Sequence, residues 1–228
     1  MLAKVKKNVV FLGTVAGNYQ VCLPFFRLFG NKFPNIVCST SDICIEGFPR
    51  SGNTYFVSGF LSWNKGVSVS HHTHLAGNVK SAIKRKLPTI VLIRRPEDVV
   101  SSIVIWDGLL NTTIALLAYI HFYQVLWKHR SRILVLNFDD LTQRPDDCVR
   151  KINTHFNTHF DYVDFSPDED NKIRTRLARV DRRHNRQALS SSLPNRDKSQ
   201  LKEKFKEHVL KHRLYPYAQR IFSKYCNL

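Results

Sequence analysis

Residues 42–63 read DICIEGFPRSGNTYFVSGFLSW, and the reading of this stretch decides the fold. Ile43 to Phe48 is an apolar run of strand length, and Pro49-Arg50-Ser51-Gly52 breaks it. Val57, Phe60 and Leu61 then fall at i, i+3 and i+4, the spacing of one face of a helix that begins near Asn53. Strand, tight loop and helix in succession aim unpaired backbone N–H groups and the positive end of a helix dipole at one point, where an anion is favoured. Gly52 lets the backbone approach closely, Arg50 supplies a full charge, and the Ser51 and Thr54 hydroxyls add donors. A phosphate group fits such a loop.

The loop is not a Walker A motif: the GxxxxGK[ST] spacing is absent and the turn holds no Lys. That weighs against ATPases and GTPases. Taken alone, the segment reads equally well as an ordinary strand-to-helix turn. PRSGNTY, residues 49–55, nevertheless resembles the 5'-phosphosulfate loop of sulfotransferases that use 3'-phosphoadenosine-5'-phosphosulfate, whose pattern is P-[KR]-S-G-T-T-W. Asn53 stands for the first Thr and Tyr55 for the Trp. The resemblance implies that Arg50, Ser51, Gly52, Asn53 and Thr54 hold the 5' end of the donor and that Tyr55 stacks on adenine.

A second segment, residues 88–106, reads PTIVLIRRPEDVVSSIVIW. Thr89 to Ile93 is a continuous β-branched run between Pro88 and Arg94-Arg95, as in a buried parallel strand. Glu97 and Asp98 follow Pro96 where a helix would start, which suits its dipole. The segment resembles the family's 3'-phosphate-binding element, a strand ending in Arg followed by x-P-x-D-x-x-x-S. Arg94 leaves the strand end and Ser102 lies two turns into the helix, so the resemblance makes them a pair that grips one phosphate from two sides. Between the two segments lies HHTHL, residues 71–75. Thr73-His74-Leu75 matches three positions of the family's K-T-H-L-P, which implies His74 as the catalytic base. His72 replaces the Lys and Ala76 the Pro, so His71 and His72 stay open as the working residue. Read without the family, three histidines in four positions make a polar strand end or a weak metal site.

Composition bounds the rest. A chain of 228 residues is one domain of ordinary size. Its net charge of +17 is carried by the ends: residues 1–41 hold five Lys or Arg and no acid, and residues 167–228 hold sixteen against seven. Such a surface attracts nucleic acid, anionic lipid or a polyanionic substrate, and it steers a charged nucleotide inward. Five scattered cysteines without a CxxC pair read as thiols in a reducing compartment, hence a cytoplasmic protein. Residues 1–41 read as a basic N-terminal arm with peripheral membrane contact and no spanning segment, because Asn18, Gln20, Pro24 and Arg27 interrupt its apolar run. Residues 42–228 form the sulfotransferase-like domain, basic and helical from about 167.

Further elements follow from pattern. Residues 66–70 read as a strand, 76–86 and 112–130 as helices, the latter capped by Asn111, and 132–138 as a strand. Asp139 and Asp140 read as caps of the next element rather than as metal ligands, and no metal is called for. Arg176, Arg179, Arg183 and Arg186 form a helical stripe, by default a solvated face. The family's late R-K-G-x-x-G-D-W segment is absent, which leaves Arg182 and Arg183 as replacements by charge alone. Alternating strands and helices imply an α/β, three-layer, P-loop-like fold with a parallel sheet and the ligand at the strand C-terminal ends. The resemblance implies sulfuryl transfer to a hydroxyl or amine of a small molecule or glycan, with no specific nucleic-acid partner. The alternatives are a P-loop nucleotide kinase or phosphotransferase and a non-catalytic protein that binds nucleic acid or anionic membrane.

Overall fold

The computed structural model describes residues 35–107, 111–183 and 196–228. Most of the basic N-terminal arm, Arg186 and the expected helix break at 192–194 lie outside the described residues, as does the side chain of Arg183. Among the described residues four strands form one sheet: β1 (Ile43–Gly47), β2 (Val69–His71), β3 (Thr89–Ile93) and β4 (Leu134–Asn137), in the order β2-β1-β3-β4, with every neighbouring pair parallel. All residues of β1 and β3 are buried, which is why neither alternates apolar with polar residues; β3 is apolar after Thr89, and β1 carries one buried carboxylate, Glu46.

Helices cover both faces, so the fold is three-layered α/β as the alternating pattern implied. One layer holds α1 (Asn53–Trp63), the short α5 (Phe138–Gln143), α6 (Pro145–Phe156) and α7 (Pro167–Arg183); the other holds α2 (Ala76–Lys84), α3 (Pro96–Asp107), α4 (Thr112–Trp127), α8 (Arg196–Leu210) and α9 (Tyr215–Cys226). Strand parity divides the core between them. Ile43 and Ile45 of β1 and Ile90 and Leu92 of β3 pack under α1, whereas Val91 and Ile93 pack under α3 and α4. On that second face β1 presents Cys44 and Glu46 to α2.

Boundaries moved where local hydrogen bonding overrode composition. β2 begins at Val69, after a turn closed by Gly66 in the left-handed region (φ 90°). α2 stops at Lys84, two residues early, with Lys86 at φ 60°. β4 starts at Leu134 because Arg130–Arg132 form a 3-10 turn. It ends at Asn137, whose Oδ1 accepts the Asp139 N–H at 3.2 Å and so caps α5. Asn111 caps α4 as expected, accepting from Thr113 N. None of the described cysteines, Cys38, Cys44, Cys148 and Cys226, forms a disulfide. Among the described residues no helix is long and apolar enough to cross a membrane.

The topology fixes where a ligand can sit. From β1 the chain crosses by α1 to β2 on one side; from β2 it crosses by α2 on the opposite face to β3, on the other side of β1. The winding therefore reverses between β1 and β3. Their C-terminal ends diverge into a crevice, and the two segments that enter it are the loop after β1 and the Arg94-Arg95 turn after β3.

Candidate functional site

The loop after β1 is shaped by two glycines. Gly47 lies opposite Leu92, where a Cβ would stand 2.7 Å from the Leu92 carbonyl oxygen, so only glycine allows the β1–β3 approach. Gly52, at φ 94°, is the residue before α1; a side chain there would meet Leu141 at 2.8 Å as well as strain the backbone. Arg50 is also left-handed, at φ 69°. The Ser51 N–H turns back to the Phe48 carbonyl at 3.2 Å, and the first helical bond of α1 runs from Phe56 N to Gly52 O. No side chain caps this helix, so the N–H groups of its first turn are aimed into the crevice. The Ser51 hydroxyl is buried beside the Tyr123 phenol, which gives its own proton to Leu92 O at 2.8 Å, and Ser51 Oγ completes no bond of good geometry. Asn53 donates to Phe48 O at 3.4 Å, and its buried Oδ1 lacks a donor.

Two arginines converge on this loop. Arg50 Nε donates to Ser102 Oγ at 3.0 Å, and Arg94 Nη1 donates to the Arg50 carbonyl at 3.1 Å. The Arg94 guanidinium also lies 3.5 Å from the centre of the Phe138 ring, and its buried Nε has no acceptor. Burial pulls the Arg94 pKa down, against the attraction of Asp98 and Asp139, though an arginine stays charged regardless. The structure thus brings Arg50, Arg94 and Ser102 to one point. It differs from the sequence expectation in detail: Arg50, rather than Arg94, reaches Ser102. Tyr119 holds the β3 end in place by donating to Arg94 O at 2.9 Å while its ring packs edge-on against Phe48.

The histidine segment enters the crevice from β2. His72 and His74 both adopt φ 57°, an uncommon conformation for residues with a side chain. It is held by a residue the sequence reading passed over. Glu46, fully buried in β1, accepts hydrogen bonds from Thr73 N at 2.9 Å, His74 N at 3.0 Å, Asn78 Nδ2 at 3.1 Å and the Thr73 hydroxyl. Burial raises its pKa, and those four donors oppose the rise. The available signal was a single carboxylate inside a strand otherwise buried on both faces. His74 Nδ1 is 2.8 Å from the Gly47 carbonyl, which can only accept, so Nδ1 carries the proton and the neutral ring's lone pair is on Nε2. His72 uses both ring nitrogens: Nδ1 lies 2.6 Å from His71 Nδ1, and Nε2 lies 3.0 Å from Thr54 Oγ1. Burial lowers the pKa of His71.

Other marked residues have structural surroundings. The Tyr55 ring, expected against adenine, is buried between α1 and α7, and its hydroxyl donates to Asp170 at 2.7 Å. Trp63 Nε1 donates to Glu169 at 3.0 Å, so α7 is tied to α1 at two points. Arg182 is exposed and donates to Ala178 O of its own helix, in the layer opposite α3. Asp139 pairs with Arg95 and Asp140 with Lys151. Among the described residues no group of three or more His, Cys, Asp or Glu side chains could hold a metal ion. A cavity of about 520 Å³ beside β4, lined by Arg130, Asn137, Lys151, His155 and Cys226 among others, contains none of the residues assigned to nucleotide or catalysis.

The structure therefore defines an α/β protein with a parallel sheet, whose topological switch point gathers Arg50, Arg94 and Ser102 beside the first turn of α1. No family model matches the chain, and no curated protein matches it. Among solved structures it is similar to mouse sulfotransferase SULT7A1 complexed with PAP, at 12% identity over 83% of this chain and 84% of that one, with a TM-score of 0.43.

Proposed function

We propose that this protein is a sulfotransferase that moves a sulfuryl group from 3'-phosphoadenosine-5'-phosphosulfate to a hydroxyl or amine. The observation that carries the reading is the meeting of Arg50, Arg94 and Ser102 with the first turn of α1, beside a histidine whose Nδ1 is fixed by a backbone carbonyl. His74 Nε2 takes the proton of the acceptor as the acceptor's oxygen or nitrogen bonds to sulfur. The bridging S–O bond breaks, and its electron pair remains on the 5'-phosphate of the departing adenosine 3',5'-bisphosphate. Arg50 and the N–H groups of residues 52–55 stabilise the charge that develops there. Arg94 and Ser102 hold the 3'-phosphate, the group that separates this donor from ATP. Preference for His74 over His72 rests on its place in Thr73-His74-Leu75 and on its tautomer, set by the Gly47 carbonyl, whereas the two ring nitrogens of His72 face His71 and Thr54. Tyr55 takes no part in this reading; its ring serves the α1–α7 contact.

A thermal-shift comparison tests the proposal. Adenosine 3',5'-bisphosphate is expected to raise the melting temperature more than ADP at equal concentration, because only the former engages Arg94 and Ser102 through a 3'-phosphate. Equal shifts would remove the basis for the assignment, and a larger response to a DNA oligomer than to either nucleotide would favour a non-catalytic binding protein.

A further inference from the structure

Helix α8 lies along α3 and brings lysines to the turn that precedes Ser102. Lys202 Nζ is 2.7 Å from Asp98 Oδ1, and Lys206 Nζ is 3.6 Å from the same oxygen. Asp98 and Ser102 are one turn apart on α3, hence on one face. Ser102 is held by Arg50, and Arg94 is close enough to attract Asp98 and to repel Lys202. Four cations, Arg50, Arg94, Lys202 and Lys206, thus lie along two successive turns of α3, the first of which offers them the half-buried Asp98. The other acid of that turn, Glu97, is engaged by the Tyr215 hydroxyl at 3.2 Å, and the nearby Asp139 is exposed and paired with Arg95. Burial and the Arg94 charge depress the Lys202 pKa despite Asp98. Arg94 Nε, close by, is buried without an acceptor.

We infer that Lys202 is a ligand of the dianionic phosphate held by Arg94 and Ser102, reached when its ammonium group exchanges Asp98 for a phosphate oxygen. The inference rests on the sulfotransferase reading for the identity of that group, the 3'-phosphate of the nucleotide. It assigns to α8, a helix distant in sequence from both loops, the cation sought at Arg182 and Arg183. Lysine suits the task as a compact charge on a flexible stem that can move between two anions without remaking the helix.

The test measures dissociation constants of adenosine 3',5'-bisphosphate and ADP by calorimetry for the wild type and for Lys202→Ala, Lys202→Gln, Arg94→Ala and Lys204→Ala. Lys204 is exposed on the same helix and controls for lost charge. Lys202→Ala is expected to reduce the bisphosphate-over-ADP preference about 10- to 100-fold, the scale of one charge-assisted contact, with ADP binding little changed. Lys202→Gln keeps a donor toward Asp98 and the packing of the stem, so it preserves the fold if alanine does not, and it should lose the preference similarly. If both Lys202 variants keep the wild-type preference while Arg94→Ala abolishes it, Lys202 is only a tether between helices and the inference fails with the function intact. If Lys204→Ala reduces the preference as much as Lys202→Ala, the effect is long-range charge and the inference also fails. A wild type without any preference overturns the functional reading itself.

Discussion

Replacing Glu46 by alanine removes the carboxylate around which the histidine segment is folded. Four donors converge on it: the Thr73 and His74 amides, the Thr73 hydroxyl and the Asn78 side chain. An unsatisfied buried donor costs about 1–3 kcal/mol, which for four donors exceeds any plausible net loss, because burying the ionised carboxylate already opposes folding, as its raised pKa indicates. Water entering the vacated space would also satisfy part of the demand. Breaking a buried charged network typically costs about 3–5 kcal/mol, and that range is the expected destabilisation, against a total of about 5–15 kcal/mol for a domain. Glu46→Gln keeps one acceptor oxygen but turns an NH₂ toward donors, so a loss of about 2–3 kcal/mol is expected from the same unsatisfied-donor scale. Urea unfolding followed by far-ultraviolet circular dichroism measures both variants, and histidine ring resonances report on the segment itself. The His72 and His74 resonances should move, because their left-handed backbones are held from this one residue. A Glu46→Ala variant within about 1 kcal/mol of wild type, with those resonances unchanged, would refute the argument that the carboxylate organises the segment.

Once an acceptor is known, His74→Ala should lower turnover by about 10²- to 10⁴-fold, the range of a positioned general base, with bisphosphate binding nearly intact; if His72→Ala abolishes transfer while His74→Ala remains active, the base is two residues upstream. Arg50→Ala is expected to weaken ADP and adenosine 3',5'-bisphosphate alike, whereas Arg94→Ala erases the difference between them, and calorimetry on the pair of variants would expose a wrong placement if both behave identically. Gly47→Ala forces a methyl group into the Leu92 carbonyl and should destabilise by about 1–3 kcal/mol, the range for overpacking; thermal unfolding without a loss would mean β1 and β3 can separate freely. Because burial lowers the His71 pKa, the unfolded chain takes up that proton first. Stability from this group is present above the unfolded value of about 6.5 and is lost as pH falls through it toward the folded value. His71→Gln should flatten the pH dependence of stability in that window, and an unchanged slope would assign it elsewhere.

Local pattern carried much of the molecule. The apolar runs of β1 and β3, the helical spacing of Val57, Phe60 and Leu61, the Asn111 cap and the alternation of strands with helices are properties of neighbouring residues, so they were legible without tertiary context and implied the parallel α/β fold. Glycine and arginine after β1, with arginine after β3, were legible for the same reason: each belongs to a short local motif at a strand end. Three matters depended on contacts between distant segments. Arg50 reaches Ser102 because the sheet order sets β1 beside β3, a neighbourhood no local window contains. Tyr55 is directed into α7 by Asp170, more than a hundred residues later, so a ring that resembles an adenine platform becomes an interhelical tether. Glu46 was passed over inside a strand read as apolar, and only the packing of β1 against α2 and the His71–Leu75 turn shows four donors closing on it. Hydrophobic periodicity specifies which face of an element is buried, but which polar group meets which across a core is decided by the assembled layers, and the candidate site is made of such meetings.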